Sequence, residues 1–304
     1  MQLGMVGLGK MGANMTRRLL KGRHTVVVTD LSTEAVNAAV EEGAIGAASL
    51  SDLISKLSTP RAVWAMVPAG DPTETTIAEL AELMEPGDII IDGGNSFYKN
   101  AQRHAHALHE KGLHFIDVGT SGGVWGIKEG YSMMIGGEES IVEHLRPIFE
   151  TLAPAPDKGW GYVGPSGAGH FVKMVHNGIE YGMMQAFAEG FSIMKHKDEF
   201  NLDLAEVSRI WQHGSVVRSW LLDLVKDAFD QDQGFESVAA YVPDSGEGRW
   251  TVFEAIDLNV AAPVITLALQ QRIASREDGY TNKLLSVMRN QFGGHAIKQQ
   301  DKKE

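Results

Sequence analysis

Cysteine is absent from all 304 residues, so no disulfide, thiolate metal site or cysteine nucleophile is open to this chain. No apolar run reaches 18 residues, which excludes a membrane-spanning helix by length. Positive charge is scarce. The chain has 27 Lys and Arg against 39 Asp and Glu, a formal net charge of −12, which suits neither nucleic acid nor an anionic membrane. There is no internal repeat and no low-complexity tract. No basic leader or cleavage site precedes the first apolar segment, so no signal peptide is predicted and the cytoplasm is the expected compartment. The length suits about two domains, each able to bury a core.

What is present begins at the first residue. Met1 to Gly7 reads as a short apolar strand, and Gly7-Leu8-Gly9-Lys10-Met11-Gly12 follows it directly. A helical stretch from Ala13 to Lys21 and a second strand from His24 to Asp30 come next. A glycine-rich turn between strand and helix suits a dinucleotide. Gly7 allows the tight turn, Gly9 lets the backbone approach a pyrophosphate, and Gly12 lets the helix pack closely with its N-terminus toward the anion. Asp30 stands where a carboxylate accepts hydrogen bonds from ribose hydroxyls, and its charge would repel a 2′-phosphate. Leu31-Ser32-Thr33 supplies no cation to hold one, so the expected cofactor is NAD, with NADP less favoured. Asp30 could also serve the start of the next helix.

Strand and helix alternate up to about Val163, with further strands at Ala62 to Val67, Ile89 to Ile91, Phe115 to Val118 and Met133 to Ile135. The alternation predicts a parallel, doubly wound Rossmann-type α/β sheet over residues 1–164, with ligands at the carboxyl ends of its strands. Val67, at one such end, and Asn95 join the expected cofactor positions. Two polar loops occupy other ends: Asp92-Gly93-Gly94-Asn95-Ser96 and Gly119-Thr120-Ser121-Gly122-Gly123. Their glycines suit close approach of backbone N–H groups to a carboxylate.

After Pro165 the strand pattern gives way to helices, at Ala168 to Lys195, Leu204 to His213, Ser219 to Phe229, Trp250 to Arg276 and Tyr280 to Asn290. Residues 165–304 therefore read as an all-α domain with a polar tail. Its first helix carries Lys173, His176, Asn177, Glu180 and Tyr181 at i, i+3, i+4, i+7 and i+8, within an arc of about 140°. The other side, with Val172, Met174, Val175, Ile179 and Met183, reads as the core face. An ammonium and a carboxylate two turns apart suit a site that takes a proton from one atom and gives one to another. A partly buried ion pair on a polar stripe is the alternative.

These residues resemble the β-hydroxyacid dehydrogenases. That family combines an N-terminal GxGxxG, here Gly7 to Gly12, with a Ser-Gly-Gly loop, here Ser121 to Gly123, and the helix pattern of Gly167 to Asn177. Within it, Ile91 to Ser96, Lys173 to Gly182, and Arg289 with His295 look like the decarboxylating 6-phosphogluconate dehydrogenases of the short form.

The resemblance implies oxidation of 6-phosphogluconate at C3 and loss of CO2 to give ribulose 5-phosphate, with hydride passing to NAD. It implies Lys173 as base, Glu180 as acid, and Asn177 and His176 as ligands of the substrate hydroxyls. Asn95, Ser121, Gly122 and Gly123 would also contact substrate, and Tyr181, Arg272, Arg289 and His295 would hold or flank the phosphate. The scheme needs no metal. Arg289 and His295 would reach a neighbouring subunit's site, which implies a homodimer or homotetramer. One departure stands out, since Ser245 and Glu247 occupy the places of a phosphate-binding Lys and Thr. A dehydrogenase of another β-hydroxy acid, unphosphorylated or shorter, is the alternative.

Overall fold

The computed structural model describes residues 1–293, 296 and 298. The chain divides into two compact units, Met1–Gly178 and Ile179–Glu304. The first unit is built from β1 (Gln2–Val6), α1 (Lys10–Lys21), β2 (Thr25–Thr29), α2 (Thr33–Glu41), β3 (Ile45–Gly46), α3 (Leu50–Ser55), β4 (Ala62–Ala65), α4 (Asp71–Leu83), β5 (Ile89–Asp92), α5 (Tyr98–His109) and β6 (His114–Ser121). It continues with α6 (Gly126–Glu129), β7 (Ser132–Gly137), α7 (Glu139–His144), α8 (Arg146–Leu152) and β8 (Trp160–Gly164).

The eight strands form one sheet in the order β3-β2-β1-β4-β5-β6-β7-β8. Successive side chains on a strand point to opposite faces, so these apolar strands must be covered on both sides. Leu3, Met5, Val26, Val28, Trp64, Ile89, Ile91, Ile116 and Val118 fill one layer. Val27, Val63, Ile90 and Phe115, one residue out of phase, fill the other.

Every strand pairing is parallel but one, so that β7 and β8 run opposite to the other six. β7 runs antiparallel to β6, where an all-parallel sheet was expected. Only residues 122–131 join these strands, and they hold nothing longer than the four-residue α6. A parallel return needs a crossover of a dozen or more residues, so the chain folds straight back. β3 and β8, which lack a clear apolar pattern, are the edge strands.

Helix α9 (Ala168–Lys195) runs from the first unit into the second. The second unit continues with α10 (Leu204–Trp211), α11 (Trp220–Gln231), α12 (Glu247–Asp257), α13 (Pro263–Ala274) and α14 (Tyr280–Gly293). The stretch expected as one helix from Trp250 to Arg276 is broken. Asn259 adopts a left-handed φ of 56° that ends α12, and Pro263 opens α13. Phe191, Leu204, Leu222 and Phe229 form one core cluster of this unit, and Tyr181, Val252, Ala268 and Leu269 another. No helix among the described residues is long and apolar enough to cross a membrane.

Gly169 sets how closely α9 meets the sheet. A Cβ there would lie 2.5 Å from the backbone oxygens of both Asp117 and Met134, neither of which can swing aside. Gly169→Ala should therefore lower stability by about 3 kcal/mol, the upper end of overpacking costs, read as a drop in denaturation midpoint. A cost under about 1 kcal/mol would show that the helix start can lift off the strands.

Candidate active site

The glycine turn after β1 is held by its neighbours. Gly7 has φ +95°, and a Cβ there would meet the Met66 carbonyl oxygen at 2.4 Å. A Cβ on Gly12 would meet the Gly7 carbonyl oxygen at 2.0 Å, so α1 can pack this closely only with glycine. At Gly9, by contrast, the missing Cβ faces open space. The middle glycine thus leaves room for a ligand beside the N-terminus of α1, which begins at Lys10 and Met11.

Asp30 ends β2 and grips this loop. Its two oxygens accept the Leu8 N–H at 2.5 Å and the Ser32 N–H at 2.7 Å. The cap of the following helix is Ser32, whose hydroxyl accepts the Ala35 N–H. Val67 adjoins the same loop, its Cγ1 lying 3.1 Å from where a Gly7 Cβ would be. These residues fit a dinucleotide: an open glycine, a helix start, and a carboxylate just past the next strand.

The two polar loops end β5 and β6. Asp92 is buried and accepts the Gly94 N–H at 3.0 Å, fixing the turn that leaves Asn95 exposed. Beyond β6, Gly122 (φ +137°) and Gly123 (φ +50°) adopt backbone angles that side-chain-bearing residues rarely hold. Asp92 and Asp117 are register partners on β5 and β6, both fully buried. Two such carboxylates side by side need counter-charge and donors.

Helix α9 supplies both. Asp117 accepts the N–H groups of Gly167 at 2.6 Å and His170 at 2.9 Å, taking the part of a capping side chain. His170 turns its Nε2 to within 3.2 Å of Asp92, at an angle poor for a hydrogen bond, so the contact is chiefly ionic. Burial alone would lower the His170 pKa, but the Asp92 charge and contact, with Asp117 behind, carry it above the ordinary imidazole value. Burial likewise works to raise Asp92. The charge and contact of His170, with Ser96 and the Gly94 N–H, outweigh it and hold the carboxyl below its usual range.

One turn further on, Lys173 packs over Gly119, where a Cβ would stand 2.4 Å from the Lys173 Cβ. His176 Nδ1 lies 3.4 Å from Lys173 Nζ and 3.1 Å from Asn177 Oδ1. This one ring nitrogen serves both neighbours. When protonated it donates to both, and Lys173 is then a neutral amine. When unprotonated it accepts from an ammonium, and Asn177 must turn its NH2 inward. The contact is one along which a proton can be exchanged.

The expected orientation of α9 is reversed. Lys173, Asn177 and Tyr181 are buried, whereas Val172, Ile179 and Met183 are 37%, 51% and 39% exposed. Of the supposed core face only Met174 is buried, with Val175 partly so. The polar stripe is the inward one because small residues make room for it: Gly119 beneath Lys173, and Gly248 beneath the Tyr181 ring, which a Cβ would meet at 2.4 Å. Glu180 is half-buried on the same helix.

In the second unit, the Arg272 guanidinium lies 3.5 Å from the centroid of the Tyr181 ring and donates to the Pro243 carbonyl. The Ser245 N–H donates to the Tyr181 hydroxyl at 3.4 Å. Glu247 is 2% exposed and accepts the Ser245 hydroxyl at 2.5 Å. Arg249 does not compensate this acid locally, because it pairs with Asp244, as does Arg276. Arg289 lies exposed on α14, and His295 lies outside the described residues. Among the described residues no cluster of His, Asp and Glu could hold a metal ion.

Asp92, Asp117 and His170 were not foreseen as a unit. Their signal was faint: an acid closing one apolar strand, another inside the next, and a histidine within a glycine-rich helix start.

Residues 2–164 match the family described as the NAD binding domain of 6-phosphogluconate dehydrogenase, and residues 169–304 match the 6-phosphogluconate dehydrogenase C-terminal domain. The chain is 41% identical over 303 residues to a Haloferax volcanii protein named as an NAD(+)-dependent, decarboxylating 6-phosphogluconate dehydrogenase, covering 99% of this chain and 100% of that one. It is 42% identical over 297 residues to YqeC of Bacillus subtilis, provisionally named a 6-phosphogluconate dehydrogenase, covering 97% and 99%. A solved Plasmodium falciparum 6-phosphogluconate dehydrogenase, studied in its apo form, with its cofactor NADP+ and with its substrate 6-phosphogluconate, superposes with a TM-score of 0.84 at 29% identity. The match covers 100% of this chain and 67% of that one.

The buried ion pair sets a pH dependence. The His170 contribution to stability is complete below about pH 6.5 and lost as pH rises through its raised pKa. That of Asp92 is complete above about pH 4 and lost as pH falls through its depressed pKa. Asp92→Asn should cost about 3 kcal/mol in denaturant unfolding at pH 6, and the gap to the parent should narrow toward pH 9. An equal gap at both pH values would mean that the pair is not ionised.

Proposed function

Because this chain belongs to the 6-phosphogluconate dehydrogenase family, we propose that it catalyses the oxidative decarboxylation of 6-phosphogluconate to ribulose 5-phosphate and CO2. The observation that carries this reading is the buried Lys173–His176–Asn177 set over Gly119, on the same helix as Glu180. NAD, when bound along the Gly7–Gly12 turn, supplies the acceptor for the C3 hydride. The Asp30 carboxylate at the ribose position favours NAD over NADP, which the fold would also admit.

Lys173, as a neutral amine, takes the proton of the C3 hydroxyl, and desolvation beside the nicotinamide site favours that neutral form. The 3-keto acid then loses CO2 while the protonated Lys173 donates to the carbonyl oxygen. Glu180 gives a proton to C1 of the enediol. Asn177, His176 and Asn95 orient the hydroxyls, and Ser121, Gly122 and Gly123 hold the carboxylate. Tyr181 and Arg272 bind the phosphate, Arg289 adds a cation from the neighbouring subunit, and His295 stands beside it. No metal takes part in this scheme. We infer a homodimer or homotetramer acting in the cytoplasm. Support for self-association comes from Phe253, Ile256, Val264 and Leu267, all 59% or more exposed on α12 and α13.

The test is NADH formation with CO2 trapping. The expected result is one CO2 per NADH from 6-phosphogluconate, slower reaction with NADP, and none with gluconate or 3-hydroxyisobutyrate. Lys173→Met should lower kcat by about a thousandfold. Turnover of an unphosphorylated acid with 6-phosphogluconate inert would overturn the substrate assignment, in the direction to which Glu247 points.

A further inference from the structure

Asp92, the last residue of β5, and Asp117, midway along β6, are register partners, fully buried, with their side chains toward the first turns of α9. The Gly119 position on β6 lies under Lys173. Two ionised carboxylates on the strands that this helix start packs against would favour the ammonium form of a lysine one turn on, the wrong state for a base. His170 meets both acids. Its main-chain N–H binds Asp117, and its ring lies 3.2 Å from Asp92. Residues three apart on a helix are neighbours, so the ring also stands one turn from Lys173.

We propose that the His170 imidazolium is a positioning residue that neutralises Asp92, so that Lys173 can lose its proton at working pH. The charged groups around it are Asp92 on β5, Asp117 on β6 and Lys173 on its own helix. Asp117 is engaged by the two main-chain donors of the helix start. Asp92 has Gly94 N–H on one oxygen, and the imidazolium brings it a compensating charge. The direction of both pKa shifts accords with an ionised pair. The inference rests on Lys173 being the base of the proposed reaction, yet the titration it predicts belongs to the free protein.

The experiment follows the Lys173 pKa by NMR of Cε-labelled lysine, assigned with Lys173→Met, alongside the pH profile of kcat/KM. In His170→Gln, Asp92 is uncompensated and burial raises its carboxyl, so the lysine is followed at pH values where the Asp92 carboxyl resonance shows it ionised. Lys173 should titrate at least one pH unit higher, with kcat/KM down tenfold or more on the acid side and recovering as pH rises. In Asp92→Asn the buried imidazole sheds its proton, and Lys173 should titrate as in the parent. The double variant should also restore the parent value. A loss of kcat/KM equal at every pH, with the lysine unshifted, would reduce His170 to a packing role. If His170→Gln does not fold, Asp92→Asn decides: a fall in the Lys173 pKa would mean that His170 is neutral in the parent and the proposal is wrong. The resonance moving as expected in a protein inactive on 6-phosphogluconate would preserve the electrostatic claim and sink the reaction.

Discussion

The carboxylate of Asp117 is the fixed point of this molecule. It is buried midway along β6 and takes two main-chain donors that a helix start would otherwise leave orphaned. A buried carboxylate and a buried helix N-terminus are each costly alone, and together they satisfy one another. The contact seats Gly169 against the sheet backbone, and this places His170 beside Asp92 and Lys173 above Gly119. The positions of His170 and Lys173 thus follow from a capping interaction between residues some fifty apart in the chain.

Much of this was legible because the signals are local. The glycine turn, Asp30 and the stripe from Lys173 to Tyr181 each depend on residues within one or two elements, and spacing alone reports them. The Asp117 cap was not legible, because a lone acid within a strand looks the same whether it faces water or a helix. The polarity of α9 was misread for a related reason. Periodicity shows that two faces differ, and burial of the polar one depends on glycines elsewhere, at Gly119 and Gly248. The direction of β7 was misjudged because apolar alternation carries no strand direction; the short connection before it does.

The second unit shows how an acidic chain can present cations. Arg249 and Arg276 are held by Asp244, whereas Arg272 is spread over the Tyr181 ring and bound to a backbone carbonyl. Glu247, although buried, is tied to Ser245, and one of its oxygens has no partner among the described residues. The same segment meets the Tyr181 ring, through Gly248 against its edge and the Ser245 N–H at its hydroxyl.

The most direct measurement is native-state hydrogen exchange at the Gly167 and His170 amides in the parent and in Asp117→Asn, with kcat measured on the same samples. Asparagine keeps the shape but loses the charge and one acceptor. If the cap fixes the site, these two amides exchange only through global unfolding in the parent. In the variant they open locally, and kcat falls with them. Equal protection in both proteins, or a frayed first turn with kcat intact, would contradict the claim that this one carboxylate sets the position of Lys173.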